Sequence, residues 1–182
     1  AAMGMRPVVA ERDAVTGQMR HYYVYTPEGG LLYMIDRTGD NTVFYYHFDQ
    51  IGSTLALTNA AGAVTDSYAY SPYGRLLGHE GDNPQPFKYI GQWGVRHESG
   101  PLYYMRARYY HAGTCRFLSR DPLWPQVDEV REINPYTYAL TNPVSWHDPT
   151  GTVGQFLAYE MKMRREAANQ GITSNDLPTS EN

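Results

Sequence analysis

At 182 residues, 42% of them hydrophobic, the chain can bury a core of its own, and one domain, or a domain with a tail, is the expectation. A formal net charge of −4 with acids and bases interspersed offers no basic footprint for nucleic acid and no attraction to an anionic membrane surface. The single cysteine, Cys115, excludes an internal disulfide and leaves a thiolate zinc site without companions, and no run approaches the roughly 18–20 apolar residues that span a bilayer.

The abundance of tyrosine, glycine and proline over phenylalanine and tryptophan favours strands punctuated by turns, so the fold class expected is mainly β. Residues 1–21 read as an N-terminal extension, of which Ala1 to Ala10 lacks the charged and apolar regions of a signal peptide. An aromatic-led repeat follows, already under way by Tyr23, which reads as a piece of something longer. Tyr23-Val24-Tyr25, Tyr46-His47-Phe48 and Tyr68-Ala69-Tyr70 start 23 and 22 residues apart, and each has a glycine four positions after its second aromatic: Gly29, Gly52 and Gly74. Gly39 and Gly62 come ten positions later in the first two copies, so each unit reads as strand, turn, strand, turn.

Within the repeat, strands are predicted over 42–48, 54–58 and 63–70. Tight hairpin connections are predicted at 36–39 and 59–62, with Gly39 and Gly62 supplying positive φ. The result is an antiparallel ladder of hairpins whose open edges invite pairing with further repeats or with a partner chain. A polar Gly/Pro-rich loop over 78–86 precedes two strand-like stretches, 87–90 and 102–110, around a turn at 98–100.

Five prolines between 122 and 149 exclude long regular elements there, apart from one helical turn across 127–133, and predict a Pro-rich C-terminal wrap over a surface. Helical periodicity emerges only beyond Gly151. Val153, Phe156, Leu157, Met161 and Ala168 share one face, Thr152 and Gln155 fit a capping box, and Gly171 fits a stop. One short helix over about 153–169 and a disordered end to the 152–182 tail are therefore expected.

Two Asp-Pro pairs, at Asp121 and Asp148, are the residues best suited to chemistry, although aspartate before proline commonly starts a turn. Two carboxylates held close cannot both ionise easily. They share a proton, one activating water while the other polarises a carbonyl. Arg108, by itself, reads as one of several strand arginines. Cys115 reads as a small buried hydrophobe, with His111 four residues away, and the tyrosine ladder reads as cross-strand packing or as a stacking surface for sugars.

Three stretches taken together carry a resemblance: Tyr46 through Gly52, Tyr68 through Arg75, and Arg108-Tyr109-Tyr110 through Arg116-Phe117-Leu118-Ser119-Arg120-Asp121-Pro122. With the closing Asn134-Pro135-Tyr136, Asn142-Pro143 and Asp148-Pro149-Thr150-Gly151, residues 22–151 resemble the Rhs repeat-associated core. That family includes Rhs polymorphic toxins and the C components of insecticidal toxin complexes, with the same YD-repeat logic in teneurins. The resemblance implies an antiparallel YD-repeat sheet forming part of a hollow shell around a C-terminal toxin, made in a bacterial cytoplasm and exported as part of that toxin. It also implies a single-turnover aspartic autoprotease with no metal or cofactor, in which Asp121 and Asp148 form the acid pair and Arg108 is their arginine. The cut would fall between Thr152 and Val153, with Thr152 where the family has leucine. Partners implied are the rest of the shell, the enclosed toxin and delivery-apparatus proteins. The rival readings are a non-catalytic structural or interaction module and a tyrosine-rich carbohydrate-binding surface.

Overall fold

The computed structural model describes residues 7–123 and 134–152. Seven strands follow one another as an antiparallel meander: β1 (Ala10–Arg12), β2 (Met19–Tyr25), β3 (Leu31–Asp36), β4 (Thr42–Phe48), β5 (Thr54–Thr58), β6 (Val64–Tyr70) and β7 (Leu76–Glu80). A second sheet of four, β8 (Arg96–Ser99), β9 (Leu102–Met105), β10 (Arg108–His111) and β11 (Arg116–Phe117), is ordered β11-β10-β9-β8. The mainly β, antiparallel fold read from composition and repeat is the fold observed. The first sheet begins at Ala10, upstream of the repeat proper.

Four of the hairpin turns share one construction, which explains the repeat. The first turn residue is short and polar, and its side chain accepts the backbone N–H four positions on: Thr26 from Gly30, Asp49 from Ser53, Asn59 from Ala63 and Ser71 from Arg75, at 2.8–3.2 Å. The fourth residue is a glycine in the left-handed region, and the strand pairing shifts register beside each turn, as a glycine bulge requires. The turn between β3 and β4 departs from the expectation. Gly39 does not carry the positive φ there; Asn41 does, at 58°, a conformation that asparagine tolerates better than most residues.

Period-two alternation places Tyr23, Met34, Tyr46, Leu57 and Tyr68 on one buried face, with Tyr23 opposite Met34 and Tyr46 opposite Leu57. The leading tyrosine of every copy is thus core, and the repeat does not build from these rings the exposed row that a sugar platform needs. Phe87 closes this core, its ring edge-on to Tyr23 at 4.8 Å.

Two stretches read as strands differ. Residues 87–90 form no strand but a strap across one end of the first sheet. Thr54 donates its N–H to the Lys88 carbonyl at 3.0 Å and its hydroxyl to the Phe87 carbonyl at 2.7 Å, and Ile90 N–H reaches Ser53 Oγ at 3.2 Å. The apolar run is buried as a strap, a burial that a short run cannot distinguish from strand packing. The stretch 102–110 is two strands, β9 and β10, because Arg106 turns the chain at φ 55° while its guanidinium donates to the Trp93 carbonyl at 3.3 Å. In the described part of the Pro-rich region, residues 134–152 contain no strand, and Tyr136 and Thr137 lie along β11, with Phe117 N–H donating to the Tyr136 carbonyl at 3.0 Å. The helical turn over 127–133, the helix over 153–169 and the tail beyond it lie outside the described residues.

Three tyrosine hydroxyls fasten the second core to the glycine turn that Ser71 begins. Tyr89 donates to the Pro72 carbonyl at 3.0 Å, Tyr110 to Tyr73 at 2.8 Å and Tyr103 to Gly74 at 2.9 Å. Gly74 is required here twice over, by its φ of 82° and because a Cβ would enter the Tyr89 ring. Tyr103→Phe would leave the Gly74 carbonyl buried without its donor, an expected loss of about 1–3 kcal/mol in unfolding free energy by denaturant titration. An unchanged midpoint would show that the hydroxyl contributes nothing to joining the sheets.

Candidate functional site

Arg108 opens β10, opposite Met105 in the β9–β10 hairpin, and its side chain turns inward to 4% exposure. The guanidinium lies over the Phe117 ring at 3.5 Å, and Phe117 is held from behind by edge-on contacts with Tyr110 and Tyr138. Each nitrogen of the fork has an acceptor. Nε donates to the Gly151 carbonyl, Nη1 donates to the Pro135 carbonyl at 2.9 Å, and Nη2 meets Asp121 Oδ2 at 2.8 Å and Asp148 Oδ2 at 3.4 Å. Two acids 27 residues apart in the chain thus converge on a single nitrogen.

The two carboxylates divide their work in the same way. Asp121 Oδ1 accepts the Leu123 N–H at 2.8 Å, the turn expected of an Asp-Pro pair, and Oδ2 faces the arginine. Asp148 Oδ1 accepts the Thr150 hydroxyl at 2.8 Å, the Gly151 N–H at 2.9 Å and the Thr152 N–H at 3.2 Å, and Oδ2 again faces the arginine. The turn chemistry that the sequence set against catalysis occupies one oxygen of each side chain, and the ion pair with Arg108 occupies the other. Asp121 is set in place by its own N–H donating to the Pro135 carbonyl at 3.1 Å.

One guanidinium faces two carboxylates in a largely buried setting, so one negative charge is left without a counter-charge. Burial pushes the Asp148 carboxyl up from the usual carboxylate range, against the Thr150 hydroxyl, Arg108 and the Thr152 and Gly151 N–H groups, which all favour its charged form. Burial likewise lowers Arg108, and Asp121 and Asp148 counter that shift. A proton on Asp148, which burial favours, would remove the surplus charge.

Residues 148–152 dock against the β9–β10 hairpin, with Ala107 N–H donating to the Thr150 carbonyl at 3.1 Å. Gly151 permits this approach. Its φ is 68°, and a Cβ there would run into the Met105 carbonyl and come within 3.0 Å of the Arg108 nitrogen. Thr152 is half-buried, with its hydroxyl 2.9 Å from that of Thr150. Val153 lies outside the described residues. Sequence reasoning brought forward Arg108, Asp121, Asp148 and Thr152, and the fold brings both acids to the Arg108 guanidinium with Thr152 hydrogen-bonded to Asp148. It missed Phe117, the Pro135 carbonyl and Thr150, although all three lie in the stretches that carry the resemblance. Cys115 takes no part: its thiol points to the Ala112 carbonyl at 3.7 Å, and the His111 ring pairs with Thr114 instead.

Comparison with known proteins is consistent with this architecture. Residues 14–144 match the family model of the teneurin YD-shell. The tRNA3(Ser)-specific nuclease WapA of Bacillus spizizenii is 30% identical over 147 residues, covering 79% of this chain and 6% of that protein. The toxin protein Tse5 of Pseudomonas aeruginosa is 30% identical over 115 residues, covering 63% of this chain and 8% of that protein. Among solved structures, a crystal structure of TcdB2-TccC3 without its hypervariable C-terminal region superposes with a TM-score of 0.60 at 23% identity, over 75% of this chain and 7% of that one, a likeness of fold. The chain therefore spans less than a tenth of the length of these relatives.

Proposed function

This chain belongs to the teneurin YD-shell family, and from that premise we propose that it forms the end of a β-shell that encloses a C-terminal toxin and cuts itself once, between Thr152 and Val153. Its sheet supplies wall, continued by the rest of the shell across the open edges at β1 and β7. The observation that carries the proteolytic part is the convergence of Asp121 Oδ2 and Asp148 Oδ2 on Arg108 Nη2, beside a docked segment that ends at the expected bond.

In this reading Asp148, the more buried acid, holds the proton and Asp121, the more exposed one, is the base. Water adds to the Thr152 carbonyl carbon as its proton passes to Asp121, and Asp148 gives its proton to the carbonyl oxygen. When the C–N bond breaks, the Val153 nitrogen takes the proton from Asp121 and Asp148 recovers its own, leaving a Thr152 carboxyl group and a free Val153 amine. Arg108 keeps both carboxyl groups oriented throughout and, through the Gly151 carbonyl, holds the segment next to the bond.

Intact mass of freshly made protein tests this. Wild type is expected to yield a fragment ending at Thr152, whereas Asp121→Asn and Asp148→Asn stay whole. The wild-type rate should fall as pH rises through the raised Asp148 value, because the acid form is then lost. Identical uncut masses in all three proteins would end the proteolytic reading and favour the purely structural one. That reading has its own support in an arginine that fastens Pro135, Gly151 and two acids into a single clasp.

A further inference from the structure

The side chain of Thr152 is joined to the acid pair by a hydroxyl chain. Asp148 Oδ1 accepts from Thr150 Oγ1 at 2.8 Å, and Thr150 Oγ1 lies 2.9 Å from Thr152 Oγ1. A hydroxyl has one hydrogen. Thr150 spends it on the carboxylate, so toward Thr152 it must accept, and the chain runs in one direction: Thr152 O–H to Thr150 Oγ1, Thr150 O–H to Asp148 Oδ1. The same oxygen takes the Gly151 and Thr152 N–H groups, at 2.9 and 3.2 Å. Three donors leave Oδ1 no room for a proton, so a proton on Asp148 must sit on Oδ2, the oxygen facing Arg108 and Asp121.

We propose that Thr150 and Thr152 are positioning residues, which together fix the proton of Asp148 on Oδ2, and that the site thereby selects a β-hydroxyl residue before the bond it cuts. The residue before the cut is then recognised by a hydrogen bond, a mode that discriminates strongly against an isostere lacking the hydroxyl. Valine matches threonine in shape but cannot donate. It would strand the Thr150 oxygen in a partly buried place and free Thr150 to rotate away from Asp148. The groups that face Asp148 in this arrangement are Arg108 from β10, Asp121 beyond β11 and Tyr138 from the wrap.

The inference rests on the self-cleavage proposed above and is tested on the full chain by the rate at which the fragment ending at Thr152 forms. Thr152→Val and Thr150→Val are each expected to slow the cut roughly tenfold to a hundredfold with the melting curve of the fold retained. Thr152→Ser should recover most of the rate. The double valine variant should be no slower than the slower single one, since both break one chain. Removing the Thr150 donor also moves the alkaline limb of the pH profile upward, because that hydroxyl favours ionised Asp148. Wild type that is never cut removes the proposed function and this inference with it. Wild type that is cut while Thr152→Val is cut equally fast, with an unmoved pH profile, leaves self-cleavage standing and overturns the hydroxyl chain alone.

Discussion

Arg108→Met is expected to lower the unfolding free energy by roughly 3–5 kcal/mol, the largest loss of any single substitution considered. Methionine keeps much of the arginine stem's volume but not the guanidinium that lies over Phe117, so the loss measures the head group. With the guanidinium gone, Asp148, 2% exposed, and Asp121 are left as neighbouring acids without a counter-charge, and the Pro135 and Gly151 carbonyls lose their donors. Breaking a buried pair by removing one partner costs far more than an exposed pair contributes, which is typically under 1 kcal/mol.

The sign of the pH dependence follows. In the variant the Asp148 carboxyl, already raised by burial, also loses the guanidinium that favours its charged form, so the folded state binds more protons than the unfolded one. Stability is then present at acid pH and lost as pH rises through the raised Asp148 value. Guanidinium titrations from pH 4 to 8 should show a deficit against wild type that widens with pH. A deficit below 1 kcal/mol and flat with pH would mean that the acids are not held as a buried pair.

Gly151→Ala carries the second large effect, on rate. The added Cβ meets backbone on both sides, the Met105 carbonyl and the Arg108 nitrogen, so the neighbours cannot yield as a flexible side chain would. The 148–152 segment has to move away from the hairpin, taking the Asp148 carboxylate off Arg108. A misplacement of about 1 Å suffices to cost on the order of a hundredfold in a reaction that depends on positioning. Gly62→Ala is the control: its φ of 79° carries the same backbone penalty, roughly 1–2 kcal/mol, but nothing lies within 4 Å of the new methyl. The Gly62 variant should lose a little stability and keep its rate of fragment formation. Equal rates for the Gly151 variant and wild type would mean that the docking of this segment is irrelevant to cleavage.

The strands over 42–48 and 54–58 were legible to the residue, and that over 63–70 to within one. The information for them is local: alternating side chains, then a polar residue and a glycine three positions on, joined by hydrogen bonds that span four residues. Legibility ended where partners are distant. Phe87 and Ile90 look strand-like in isolation, and only Ser53 and Thr54 at the buried start of β5, which accept and donate across them, make them a strap. The break at Arg106 depends on the Trp93 carbonyl, 13 residues upstream. Asn41, rather than Gly39, takes the left-handed turn position, a choice between two permitted residues that local propensity does not rank.

Residue order and spacing alone determined that this chain is a ladder of glycine-turned hairpins, because each hairpin's stabilising contacts lie within one repeat. Whether Asp121 and Asp148 were turn starters or partners was decided only by tertiary structure. Each acid forms its local turn through Oδ1 regardless, and what brings the two Oδ2 atoms together is the Arg108 side chain, buried over Phe117 and reached from segments far apart in the chain.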